Sequence, residues 1–246
     1  MDTEWYLTDV PRLISETALL YGRIVEKAPD KTCEAVTAQR TVEERNWGET
    51  ADLYRDRFGE ALRRLGYFYV PKVMAPGPAF VFPIRSPDGA FPRAQTKPLE
   101  GSPMFREDAK YRYVGDRDRL IGPPWLGNDP ATVREVIGRQ TVLCVEGPFD
   151  LLALRLLCPS YPTMSSLTKP MGKRHVAYLR MLGIKRLLLM YDNEPGGAAA
   201  MEQQERQIRE MQVVPCTCPR KDPSEALKKY EWARSLSSTV SQLFGY

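Results

Sequence analysis

The sequences TVLCVEGPFD at residues 141–150 and RLLLMYDNEPGG at residues 186–197 decide the fold class of this chain. Each begins with a nearly unbroken apolar run and then changes abruptly to acidic and turn-forming residues. Apolar runs of this length indicate strands that helices cover on both faces, as in a parallel α/β sheet. Functional residues in such sheets gather where the strands end. We therefore expect the side chains that follow these two strands to meet at one edge of the sheet.

Three carboxylates follow the two strands directly, those of Glu146, Asp192 and Glu194. If the strands are neighbours, these groups converge, and two carboxylates ~4 Å apart repel by about 4 kcal/mol at an effective dielectric constant of about 20. A divalent cation would remove that cost. Oxygen ligands with no histidine beside them favour Mg²⁺ or Mn²⁺ over zinc, and such ions typically serve phosphate chemistry. The sequence therefore predicts a metal site that acts on a phosphate ester.

Two further aspartates are candidate metal ligands. Asp150 lies within the first motif, and Asp222 lies in the sequence KDPSE at residues 221–225. A carboxylate at the end of a strand often caps the following helix instead, and for both residues this alternative stays open.

These motifs resemble the Toprim domain that topoisomerases, bacterial primases and some nucleases share. Its signature is Glu-Gly-x-x-x followed by an Asp-x-Asp pair, and here the pair reads Asp192-Asn193-Glu194, with Glu in place of the second Asp. The resemblance extends upstream to the core of DnaG-type primases. It covers residues from about 50 to about 230 and includes, in order, LYRDR at 53–57, LGY at 65–67, VFPIRSPDG at 81–89 and KY at 110–111.

The resemblance implies a DNA primase that synthesises RNA primers on a single-stranded DNA template during DNA replication. Glu146, Asp192 and Glu194 would be catalytic and would hold Mg²⁺ or Mn²⁺ together with Asp150 and Asp222, while NTPs are the second substrate. The residues nearest to the family's basic cleft residues, which would bind nucleotide and template, are Arg85, Arg93 and Lys110. Two alternatives remain: a Toprim nuclease that uses the same metals, and a non-catalytic DNA-binding or recombination-mediator module.

The organisation of the chain supports a basic lobe followed by the α/β part. We predict an N-terminal helical region at 1–50, with an amphipathic helix and then a polar stretch, and a mixed α+β lobe at 51–137. A Toprim-type domain with a parallel sheet flanked by helices follows at 138–230, and a helical tail at 231–246 packs on the core or docks a partner.

The excess of positive charge lies in the basic lobe. Residues 51–120 contain thirteen Lys or Arg against nine Asp or Glu, and this excess of four equals the net charge of the whole chain, +4. Such an excess suits phosphate backbones and triphosphates.

Cysteine and histidine usage argues against a zinc module. The five cysteines offer only Cys216-Thr217-Cys218 at short spacing, beside the lone His175, which we place on a helix surface. Zinc ribbons need closely spaced pairs, so no zinc is expected, and a separate template-recognition protein or a replicative helicase is a possible partner. An odd cysteine number suits a reducing compartment. No apolar run approaches the ~20 residues of a membrane span, so we expect a cytoplasmic protein without membrane contact.

Overall fold

The computed structural model describes residues 30–71, 78–84, 93–107, 109–115, 130–167 and 169–245. The expected amphipathic helix around Leu13, Leu20 and Ile24 lies outside these residues, and so does Arg85. Arg93 is described by its backbone alone.

The first lobe combines helices with an antiparallel sheet. It begins with α1 (Asp30–Arg45), α2 (Gly48–Ala51), a 3-10 turn (Asp52–Tyr54) and α3 (Arg55–Leu65). The strands are β1 (Phe68–Val70), β2 (Ala79–Ile84), β3 (Arg93–Pro98) and β4 (Arg112–Gly115), which pair in that order with every neighbour antiparallel. The mixed, antiparallel lobe predicted from the sequence is therefore present.

Helix α3 is amphipathic and lies against the core. Phe58, Leu62 and Leu65 are buried on one face, and Gly66 adopts φ of 68° and ends the helix. This left-handed conformation favours glycine because the other residues carry a Cβ. The sequence predicts one helix that includes Leu53, Leu62 and Leu65, but Leu53 lies in the preceding 3-10 turn and is 60% exposed.

The second lobe alternates helices and strands along the chain. Its sheet has the order β6-β5-β7-β8, with every neighbouring pair parallel. This arrangement confirms the expected parallel α/β sheet. The elements are α4 (Pro130–Arg139), β5 (Thr141–Val145), α5 (Pro148–Leu157), β6 (Thr163–Ser165), α6 (Lys173–Met181), β7 (Arg186–Met190), α7 (Pro195–Gln207), β8 (Gln212–Pro215), α8 (Pro223–Ala226) and α9 (Tyr230–Leu243).

Side chains of the parallel strands alternate between two cores. Val142 and Leu187 belong to a cluster with residues of α4, α6 and α7 on one face of the sheet. Leu143 and Leu188 belong to the cluster on the opposite face, which also contains residues of α5 and α9. Burial on both faces explains why these strands read as continuous apolar runs.

Phe149 at the start of α5 joins the two lobes. Its ring contacts the rings of Phe80 and Phe82 on β2, with centroids 5.3 and 5.2 Å apart and near-perpendicular planes. The core on this face of the parallel sheet therefore continues into the first lobe. The expected boundary at 137/138 falls inside α4, whose Val136 packs with Val142 of β5.

Two other expectations meet different outcomes. From the sequence, the aromatic run at 67–69 favours a buried strand over a surface that stacks on bases, and β1 with the burial of Tyr67 and Phe68 confirms the strand. His175 was wrongly placed on the surface: it is buried, and its Nδ1 accepts a hydrogen bond from the Gly172 amide.

In the part of the chain that the structure describes, no helix has the length and apolar character to cross a bilayer.

The C-terminal helix α9 packs on this chain's own core. Ala233, Leu236 and Val240 are completely buried, and Trp232 and Leu243 pack beside them. Of the two options left open by the sequence, the structure shows the packed one. Leu236 and Val240 are consequently hidden from any partner.

Candidate active site

Glu146 and Asp192 leave the parallel sheet side by side. Val145 and Met190 are the last residues of β5 and β7 and face each other in register, so the chains that follow them start from adjacent positions. Ser165, at the end of β6, donates a hydrogen bond from its hydroxyl to the Glu146 carbonyl, at 2.8 Å. The expected convergence at one edge of the sheet is confirmed for these two residues.

The turn that carries Glu194 is tight. The Glu194 amide donates to the Asp192 carbonyl at 2.7 Å, and the Gly197 amide donates to the Glu194 carbonyl at 2.9 Å. A Cβ on residue 197 would collide with the carbonyl of Asp192. Glycine at this position lets α7 begin directly above the acidic turn.

Asp192 lies in a negative environment. Partial burial, followed by the charges of Glu146 and Asp222, raises its pKa from 3.8 to about 6. Burial and like charges both disfavour an ionised carboxylate, so the shift reflects burial first and then the repulsion from Glu146 and Asp222. A bound cation would lower that pKa again.

Two lysines pair with the other carboxylates. Lys169 Nζ lies 2.9 Å from Glu146 Oε2, and Lys221 Nζ lies 2.5 Å from Glu194 Oε1. The pairing with Lys221 lowers the pKa of Glu194, to which Lys169 and Lys110 contribute less. Among the described residues, no three His, Cys, Asp or Glu side chains are grouped closely enough to hold a metal ion.

Asp150 and Asp222 both cap helices. Asp150 accepts hydrogen bonds on its two oxygens from the amides of Gly147 and Ser224, at 3.0 and 3.2 Å. Asp222 Oδ1 accepts one from the Glu225 amide at 2.6 Å. Burial, and then the charges of Asp222 and Asp192, raise the pKa of Asp150 well above its usual range. Asp150 and Asp222 thus have the capping role that the sequence left open as an alternative. Their assignment as metal ligands remains a prediction.

The first lobe brings positive charge to the same edge. Lys110, just before β4, is exposed, and its charge acts on Glu194. Lys97 on β3 is nearly buried and paired with Glu44; burial, followed by the charge of Lys110, lowers its pKa to about 8. Arg45 at the end of α1 donates from Nε to Ser224 Oγ at 2.8 Å. Lys110 therefore lies close enough to the acidic edge for its charge to act on Glu194, and its role in binding nucleotide or template remains a prediction.

Sequence reasoning missed three cations at this site, namely Lys169, Lys221 and Arg45. Lys221 had a visible signal, because it belongs to the same motif as Asp222. The other two are brought to the site by strand order and by packing between the lobes, so no local pattern marks them.

The donor set fits Mg²⁺ or Mn²⁺. Glu146, Asp192 and Glu194 supply oxygen atoms only, which both ions prefer. A bound cation would also stabilise the ionised form of Asp192, whose pKa burial and the neighbouring carboxylates raise.

The sequence matches no protein-family model and no curated protein. The fold, however, is similar to several solved primase structures. The RNA polymerase domain of Mycobacterium tuberculosis primase DnaG, in complex with a double-stranded DNA oligomer with an overhang, matches with a TM-score of 0.64 and 17% identity over 96% of this chain and 80% of that chain. This chain has the fold of a bacterial primase core.

Two other DnaG structures agree. The DnaG primase catalytic domain bound to single-stranded DNA has a TM-score of 0.60 and 16% identity, with coverage of 96% of this chain and 79% of that chain. The zinc-binding and RNA polymerase domains of Aquifex aeolicus primase match with a TM-score of 0.60 and 18% identity, covering 89% of this chain and 62% of that one. The primase-like resemblance read from the sequence motifs is confirmed at the level of fold.

Proposed function

We propose that this protein is a DNA primase core that joins ribonucleotides on a single-stranded DNA template. The observation that carries the proposal is the position of Glu146 and Asp192 after two adjacent parallel strands, with Glu194 in the turn that follows Asp192 and the charge of Lys110 acting on Glu194. Carboxylates that hold divalent ions, opposite cations that bind phosphate, are the parts that nucleotidyl transfer requires. The similarity of the fold to DnaG structures supports the same conclusion.

Glu146, Asp192 and Glu194 would hold the divalent ions, with Asp222 as a further ligand. The bound Mg²⁺ or Mn²⁺ would neutralise the triphosphate and lower the pKa of the attacking 3′ hydroxyl. Lys110, together with Arg85 and Arg93, would orient the phosphates and the template strand. Ser165 fixes the backbone of Glu146, and the tight turn at Gly197 fixes Asp192 and Glu194. We further propose that the protein works in the cytoplasm, with a replicative helicase or a template-recognition protein as partner.

A primer-synthesis assay tests the proposal directly. The purified chain is incubated with a single-stranded oligonucleotide, labelled NTPs and Mg²⁺ or Mn²⁺, and short RNA products that require both template and metal are expected. Cleavage of DNA without NTPs would instead identify a Toprim-type nuclease. Retarded migration of single-stranded DNA on a gel, with neither synthesis nor cleavage, would identify a binding module.

A further inference from the structure

Lys169 follows the end of β6, the edge strand beside β5, and its side chain crosses to the neighbouring strand end. Its ammonium lies 2.9 Å from Glu146 Oε2, and both side chains are about one quarter exposed. Lys169 is therefore paired with one of the carboxylates to which we assign the divalent ions.

The position of Lys169 differs from that of Lys221. Lys221 pairs with Glu194, whose side chain is exposed, at the outer rim of the site. Lys169 pairs with Glu146, which together with Asp222 is a main source of the repulsion felt by Asp192. The ion pair of Lys169 is thus less exposed to solvent than that of Lys221.

We propose that Lys169 is the resident counter-ion of Glu146, and that it competes with the divalent cation for this carboxylate. In the metal-free protein its charge partly neutralises Glu146. When a cation binds, Glu146 must exchange the ammonium for the metal. Lys169 thereby makes occupancy depend on a higher free concentration of Mg²⁺ or Mn²⁺ than the carboxylates alone would need. The competition rests on the proposed function, whereas the counter-ion role in the metal-free protein does not.

The first test uses no metal. Thermal unfolding of the full chain is measured in EDTA for wild type, Lys169→Met, Glu146→Gln and the double variant. Loss of the ammonium is expected to lower the melting temperature, and by a smaller amount when Glu146→Gln has already removed the negative charge. Equal losses in the two backgrounds would overturn the counter-ion role.

The second test measures Mn²⁺ binding by titration calorimetry. Lys169→Met is expected to lower the Kd for Mn²⁺ about fivefold, the size that a partly exposed ion pair implies, and Lys169→Arg should bind as wild type does. The matched control Lys185→Met removes an exposed lysine from the opposite end of the sheet and should change nothing.

The outcomes separate this inference from the proposed function. Equal Mn²⁺ affinity in wild type and Lys169→Met, with binding lost in Asp192→Asn, would overturn the competition and leave the metal site standing. Absence of Mn²⁺ binding in both proteins would overturn the metal site and the competition with it, while the result in EDTA would still decide the counter-ion role.

Discussion

Lys221 holds the second acidic motif at two points. Its ammonium lies 2.5 Å from Glu194 Oε1, and its main-chain carbonyl accepts a hydrogen bond from the Asn193 amide, also at 2.5 Å. The longer side chain of Glu194, which stands where the Toprim signature has Asp, is therefore tied to the loop that carries Asp222. The geometry of this carboxylate depends on two loops at once.

Substitution of Glu194 by Asp is expected to change the choice of metal. The shorter side chain would lose the contact with Lys221 and would restore the spacing of the Toprim signature. We expect the wild type to synthesise primers faster with Mn²⁺ than with Mg²⁺, because Mn²⁺ tolerates looser geometry, and Glu194→Asp to reduce that ratio by about threefold. Initial rates with each metal measure it. A wild type that is equally fast or faster with Mg²⁺ would contradict the expectation.

The variants Glu146→Gln and Asp192→Asn should each abolish primer synthesis. Loss of a direct ligand should cost more than the 10–100-fold typical of outer-shell changes, so we expect a fall of about 100-fold or more. Circular dichroism should show an unchanged fold, because removal of one negative charge from a repulsive cluster relieves strain rather than adding it. Glu205→Gln, which alters an exposed acid on α7, is the matched control. Wild-type rates in either site variant would refute the assignment.

The raised pKa of Asp192 predicts a pH-dependent stability in the absence of metal. Because the pKa rises from 3.8 to about 6 on folding, the folded state favours the protonated form of Asp192 more than the unfolded state does. The resulting contribution to the free energy of unfolding is complete below pH ~4 and is lost as the pH rises through about 6. A fully buried group would contribute about 3 kcal/mol, and we reduce this to about 1 kcal/mol because Asp192 is partly exposed.

The measurement compares wild type and Asp192→Asn by thermal unfolding in EDTA at pH 4 and pH 7.5. We take the melting temperature of Asp192→Asn minus that of the wild type. This difference should be about 2–4 °C more positive at pH 7.5 than at pH 4. A difference between the two proteins that does not change with pH would show that Asp192 keeps an ordinary pKa.

Lys110→Ala and Arg85→Ala should weaken binding of template or NTPs. Each lost phosphate contact is expected to reduce the slope of log K against log salt by about one unit. Fluorescence anisotropy with a labelled single-stranded oligonucleotide at several salt concentrations measures the slope, and steady-state kinetics gives KM for NTPs. Lys185→Ala is the control. If binding and kinetics are unchanged in both variants, these cations only face solvent.

Leu236→Ala should destabilise the protein by about 2–5 kcal/mol, since Leu236 is completely buried in the core that α9 shares with the sheet. Deletion of residues 235–246 should leave an insoluble or unfolded chain. Chemical denaturation measures the first effect, and Ser238→Ala, at an exposed position of the same helix, is the control. A soluble, folded truncation would mean that the tail is dispensable for the core and free to dock a partner.

The second lobe could be predicted from the sequence because its strands are buried on both faces and therefore consist of continuous apolar runs. The apolar runs at 141–145 and 187–191 locate β5 and β7 to within a residue, and the acidic residues after them locate the edge of the sheet. Helix α1 was missed, since the buried positions include Thr37 and Thr41 and no apolar stripe marks them.

The partners of the acidic residues were also invisible in the sequence. Lys169 reaches Glu146 only because β6 pairs with β5, and Arg45 reaches Ser224 across 179 positions of chain. Local periodicity reports which face of an element is buried. It carries no information about which residue, distant in sequence, will pair with a given charged side chain.

The position of Phe149 between the two lobes has a consequence for how the molecule comes apart. Since its ring packs against Phe80 and Phe82 while its own helix covers the parallel sheet, neither sheet can lose its side-chain packing without exposing part of the other. The two lobes should melt together in one cooperative calorimetric transition, and a fragment that contains only one of them should be unable to hold its shape alone.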